Sequence, residues 1–287
     1  MSDAAFYSRE EPNLSVAWAR AFLGLLDHPR KEYAPFLVSI AGLNGSDPEA
    51  DADLRDALDA CLEANGHDRV QTVANTILPQ SLWRRAKGDR KAFFRSYLED
   101  LPSFVEMDRR NRRGIYFARL IGFGLNPRDA LCLPHAPTKA ISEDGNQLEF
   151  IIEECKRGGR RTKLQAALFD PYRDLTRSAQ QGFPCLQHLT FVPNRDRHTL
   201  GLNAFYATQQ LFVKAYGNWL GLCRLGAFVA HEAGLRFDRL TCFAGIQKMD
   251  GDKRPKPGDP LDRLRDRAEA MVRAVGVPSA ESALATE

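Results

Sequence analysis

Residues 183–207 read FPCLQHLTFVPNRDRHTLGLNAFYA, and the fold is decided in this stretch and its flanks. Leu186–Val192 reads as a strand, Pro193-Asn194-Arg195-Asp196 as a turn, and His198–Ala207 as a second strand, so a hairpin is expected. Downstream, about Trp219 to Leu235 is apolar enough to suggest a membrane span. Arg224, His231 and Glu232 interrupt it, which predicts a buried central helix instead. A strand over Leu240–Ala244 closes the unit. After Asp250 the chain is charged and Pro-rich, with a short helix expected at Pro260–Val275 before a frayed end. Upstream, Asn146–Lys156 carries Leu148, Ile151, Ile152 and Cys155 on one helical face. Gly158-Gly159 suits a left-handed C-terminal turn. Arg160-Arg161, a strand-like Lys163–Phe169 and a turn-rich loop lead back to Phe183.

The N-terminal part is read the same way. Leu14 to Leu26 repeats apolar residues at helical spacing, Phe36–Ala41 reads as a short strand, and residues 44–51 form a polar break. Ala52–Ala64 is an amphipathic helix with Leu54, Leu58, Cys61 and Leu62 on one side. Val70–Leu78 is expected to be extended, because Val, Thr and Ile dominate it and Pro79 ends it. From Arg84 to Arg113 basic residues are dense, and such a run is first a solvated helix face. Residues 126–145 read as a loop, and no internal repeat is visible. Helices and strands in this order predict one α+β domain over residues 1–287.

Composition narrows the class. A chain of 287 residues with 44% hydrophobic side chains can bury a sizeable core. A net charge of +3 gives no argument for nucleic acid or a membrane surface as partner. The six cysteines stand singly, without Cys-x-x-Cys pairs or neighbouring His at ligand spacing, so reduced thiols of a cytoplasm are expected and no metal site. The N-terminus lacks the basic start and apolar run of a signal peptide.

The order helix, double Arg, strand, Pro-Cys, hairpin, long apolar helix with Asn, strand resembles the thymidylate synthase family over about residues 146–250. Asn146-Gln147-Leu148 through Arg160-Arg161 is similar to that family's Asp-Gln helix ending in Ser-Arg-Arg. Phe183-Pro184-Cys185 with Gln187-His188-Leu189-Thr190-Phe191-Val192 resembles its Pro-Cys-His motif and following strand. Ala207–Leu235 aligns without a gap against its phosphate loop and central helix. The resemblance implies a mixed sheet packed against a long buried helix, and a homodimer formed sheet to sheet. It implies Cys185 as the nucleophile that adds to C6 of a pyrimidine nucleotide, Asn218 as the reader of the base, and Arg160 and Arg161 as phosphate ligands donated to the partner protomer. Tyr116, in Ile115-Tyr116-Phe117-Ala118-Arg119, is loosely similar to the family's Tyr-Gly-x-x-x-Arg segment. The carbon donor would be methylenetetrahydrofolate. These residue types suit the chemistry: a thiolate makes C5 nucleophilic by adding at C6, guanidinium forks match phosphate oxygens, and an amide offers a donor and an acceptor.

Four motifs depart from the family. Its phosphate-binding Arg-Ser pair falls on Ala207-Thr208, the His after its nucleophile on Leu186, its folate Asp on Gln210, and its sugar-binding His-x-Tyr on Lys248-x-Asp250. Losing an Arg–phosphate bond costs roughly 1.5–3 kcal/mol, more than tenfold in affinity. Two readings follow, and a third, a nucleic-acid binder using the basic run Arg84–Arg113, stands behind them. One is a divergent enzyme adding a methyl or hydroxymethyl group to C5 of a pyrimidine nucleotide. The other is a protein of the same fold that has lost catalysis and serves as a nucleotide-binding or assembly module.

Overall fold

A computed structural model describes residues 5–43, 51–108, 111, 115–124, 145–175, 177, 184–250 and 254–275. The chain begins β1 (Ala5–Glu11), α1 (Leu14–Asp27), β2 (Glu32–Ile40), α2 (Ala52–Ala64), α3 (Val70–Asn75), α4 (Gln80–Arg85), α5 (Arg90–Met107) and α6 (Tyr116–Ile121). It continues α7 (Gln147–Arg157), β3 (Gln165–Ala167), α8 (Pro171–Asp174), β4 (Leu186–Asn194), β5 (Thr199–Gln210), α9 (Tyr216–Glu232), β6 (Arg236–Lys248) and α10 (Asp259–Val275). The fold is mixed α+β, built on a six-stranded sheet of order β1-β2-β6-β5-β4-β3. The β1–β2 and β5–β6 pairs are parallel and the other neighbours antiparallel.

Helices α1 and α9 cover one face of this sheet. Every residue from Tyr216 to Gly226 of α9 is buried, as its nearly uniform apolar sequence requires. Trp219 stacks on Phe36 of β2 at 6.0 Å between ring centroids, and Trp18 of α1 stacks on Phe22 at 4.7 Å. No described helix is long and apolar enough to cross a membrane. The hairpin, the 146–156 helix and the C-terminal helix stand where the sequence puts them. Asn146 caps α7 by accepting from Glu149 N at 2.9 Å, and Gly158 ends it with φ of 79°.

Four expectations change. Residues 70–75 are helical, not extended. Asp59 accepts from Val70 N at 2.7 Å at the start of α3, and Val70, Val73 and Ala74 are buried at helical spacing. Packing on α9 thereby overrides the β preference of Val and Thr. That packing is tight. A Cβ on Gly217 would stand 2.6 Å from Val73 Cβ, and one on Gly221 would stand 2.7 Å from Ala74 O. The strand expected at Lys163–Phe169 shrinks to Gln165–Ala167 after a short 3-10 turn. The closing strand lengthens to thirteen residues, and β1 is an additional edge strand. The arginines at 109, 110, 112 and 113, Cys132, and residues 126–144 lie outside the described residues.

The sheet carries a crease. Leu200, Leu202, Ala204 and Tyr206 of β5 face the core in strict alternation, and the next inward residue is Gln209. In β6, Leu240, Cys242 and Ala244 alternate likewise, and the next is Gln247. Both strands slip phase by one residue at the same level, where Gly245 lets their backbones close up: a Cβ there would lie 2.8 Å from Ala207 O. The β4 register jumps beside it, between Leu186↔Tyr206 and His188↔Phe205. Cys185 sits at this level, its carbonyl accepting from Ala207 N at 3.2 Å.

The second sheet face carries no helix among the described residues. His188, Phe205, Phe243 and Leu37 form one row across β4, β5, β6 and β2, and Thr190, Asn203, Thr241 and Ser39 form the next. Phe205 and Phe243 stack at 5.2 Å, and Phe205 stays 39% exposed.

Candidate functional site

Cys185 is exposed, whereas Cys61, Cys155, Cys223 and Cys242 are buried. Burial pushes the Cys61 thiol up to about 11 and the Cys242 thiol up to about 12, as expected of inert core cysteines. The Cys185 thiol is also raised, by the protein packed around it, while the ammonium groups of Lys248 and Lys214 pull it down. The residue is thus exposed, and the charges of two lysines act on its sulfur.

The elements around it explain its surroundings. Tyr116, at the start of α6, is turned toward the same point. The backbone N–H groups of Leu186 and Cys185 approach its hydroxyl, though desolvation keeps its pKa well above the ordinary phenol value. Tyr206, inward on β5, lies behind. Its titration is raised by burial first and then by Tyr116, Cys242 and Cys185. Gln209 draws the Tyr206 pKa down without completing a hydrogen bond, and it accepts from Trp219 Nε1 at 3.1 Å.

Between β5 and α9 the chain makes a π-helical turn, Leu211–Ala215, a feature frequent at functional sites. Two anchors hold it. Trp18 Nε1 donates to Leu211 O at 3.0 Å, and Val213 N donates to Asp250 Oδ2 at 2.9 Å. The turn presents Lys214, whose Nζ pairs with Asp68 Oδ2 at 3.3 Å. Asn218 follows one turn later on the same side of the helix. It is only 4% exposed, and among the described residues nothing hydrogen-bonds its side-chain amide. Its amide atoms are not sealed from solvent, so water can satisfy them and a ligand could take that water's place.

Of the residues singled out in the sequence, Tyr116 and Lys248 act electrostatically on Cys185 or lie against it, while Asn218 is buried in the first turn of α9. Thr208 and Gln210 lie on the end of β5, half-buried, opposite Ile246 and Lys248. Asp250 turns inward, 1% exposed and bonded to Val213 N, so its place is in the scaffold beneath the π turn. Arg160 and Arg161 are exposed, with no carboxylate partner among the described residues. They stand at the opposite end of the sheet: the neighbouring Leu164 O accepts from Phe191 N at 2.8 Å. At about 3.4 Å per residue that level of β4 is roughly 20 Å from Cys185. They do not reach the Cys185 of their own chain. Lys214 and Asp68 were missed by sequence reasoning. The only signal for them was a lysine in the link between a strand and a buried helix.

No family model matches this chain, and no curated protein is significantly similar to it.

Proposed function

We propose that the chain is a thymidylate synthase-like transferase that works through a Cys185 adduct with C6 of a pyrimidine nucleotide and acts as a homodimer. The observation that carries this reading is one accessible thiol at a crease in the sheet, with the charges of Lys214 and Lys248 acting on it. The thiolate adds to C6 and breaks the C5=C6 π bond. The electron pair passes toward C5 and O4, and the Asn218 amide donates to O4 and accepts from N3–H. C5, made nucleophilic by this addition, is in this reading the atom that would receive the one-carbon unit, and the chain's own residues carry the reaction as far as the adduct.

The homodimer in this reading is formed by the bare sheet face. Arg160 and Arg161, distant from the thiol of their own chain, would reach a partner's Cys185 across it. Their charge would lower that thiol's pKa and meet a phosphate. Methylenetetrahydrofolate is the donor the resemblance implies. A pterin's N3–H and amino group are best met by a carboxylate. Gln210 stands at the corresponding position, Asp68 is paired with Lys214, and Asp250 is buried under the π turn. The described residues therefore do not fit the pterin, and the chain's own chemistry ends at the nucleotide adduct.

Incubation with 5-fluoro-dUMP or 5-fluoro-dCMP, with and without methylenetetrahydrofolate, tests the proposal by intact mass. The expected result is one covalent nucleotide per chain, mapped to Cys185 and lost in Cys185→Ser. If neither nucleotide gives an adduct, the catalytically inactive, nucleotide-binding reading takes its place.

A further inference from the structure

The loss of the family-type arginine at Ala207 leaves the phosphate without its expected ligand inside the protomer. The strand ends around Cys185 offer another. Lys248 is the last residue of β6, paired in register with Gln210, the last residue of β5. Ala207 of β5 is bonded to Cys185, and Lys248 sits at the neighbouring strand end three residues farther along the sheet, close enough for its charge to act on the Cys185 thiol. Lys214 enters from the π turn on the α9 side. Two carboxylates face these lysines. Asp68 holds Lys214 at 3.3 Å, while Glu32 stands opposite Lys248 in β2 and makes no ion pair with it. Among the described residues Lys248 has no anionic partner, so positive charge at the strand ends is left uncompensated beside the exposed sulfur.

We infer that Lys214 and Lys248 form an anion seat in front of Cys185, which holds the phosphate monoester of the substrate from the same protomer, alongside the arginines that the proposed dimer would bring from the partner. The inference deepens the proposed function by assigning the phosphate to lysines of the same chain. Asp68 fixes one lysine, and the other is free to move onto the ligand. Point-charge ammonium groups tolerate a range of phosphate positions that a guanidinium fork would not. The electron flow at C6 is unchanged; the seat only positions and neutralises. It also reconciles a raised thiol pKa with reactivity, because a bound ligand is oriented at the sulfur before the thiolate forms.

Alkylation of Cys185 tests this without any nucleotide chemistry. Rates with anionic iodoacetate and neutral iodoacetamide are measured by peptide mass at low ionic strength, with glutathione as the reference thiol. The expected iodoacetate-to-iodoacetamide ratio at Cys185 exceeds that of glutathione by about tenfold, roughly one charge-assisted contact. Inorganic phosphate lowers the ratio in competition. In the Lys214→Met/Lys248→Met variant the ratio falls to the glutathione value, and in Lys214→Arg/Lys248→Arg it is retained. Matching thermal melts show that both variants are folded. A wild-type ratio equal to that of glutathione, or a high ratio that survives in the double Met variant, overturns the seat. A high ratio that phosphate does not lower overturns it as a phosphate site. Failure of the fluoropyrimidine adduct with the ratio intact would sink the transferase reading and leave the seat standing.

Discussion

The two faces of the sheet are made of the same strands and have opposite characters. On the helix side, Phe36, Tyr206, Leu240 and Cys242 are fully covered, and Trp219 and Trp18 both stack and donate hydrogen bonds. On the other side, Phe205 and Phe243 stack with no helix over them among the described residues. Period-two alternation in β5 and β6 builds both faces at once, so every residue that leaves the core lands on the bare side. The covered face holds the protomer together. The bare face contributes little to it and is available for something else.

Substitutions can break that contrast or sharpen it. The largest effect is expected at Trp219→Ala, which removes the stack on Phe36 and leaves Gln209 Oε1 without its donor. Chemical denaturation should show a loss of about 3–5 kcal/mol. A smaller change of opposite sign is expected at Gln247. This side chain is 0% exposed, and among the described residues neither its amide nitrogen nor its oxygen has a partner. Gln247→Leu should stabilise the protein by about 1–2 kcal/mol, and a measured loss would show that the amide is satisfied by water. The smallest stability change is expected at Phe205→Asp, within about 0.5 kcal/mol for the folded protomer. Sedimentation should nevertheless report a halved mass, and the fluoropyrimidine adduct should weaken with it. An unaltered mass would remove the bare face from the homodimer proposed above.

Much of this contrast was legible in the sequence, and some of it was not. The α7 helix announced itself at both ends, through Asn146 and Gly158, because caps are local chemistry. The hairpin and the apolar run of α9 were also readable, since turn residues and unbroken hydrophobicity need no partner to be seen. The segment 70–78 misled because β-branched residues favour strands until a neighbouring helix with Gly217 and Gly221 offers a closer fit. β1 escaped because its seven residues pair in parallel with a strand beyond an intervening helix, and nothing local marks such pairing. The crease was invisible for the same reason: a one-residue phase slip acquires meaning only once two strands are set side by side. Cys185, Tyr116 and Asn218 were reached through motif order. Lys214 and Asp68 were not, because their pairing joins residues 146 positions apart.

The glycine groove of α9 has a reach beyond packing. It fixes how deeply α3 sinks, and the residues just ahead of α3 include His67, edge-on to Phe212, and Asp68, which grips Lys214. Helix spacing is thus geared to the position of a charge beside the sulfur. A single methyl at Gly217 would act like a shim in a clamp, lifting the jaw that steadies the lysine. Sequence drift in this groove is therefore constrained by a site that it never touches.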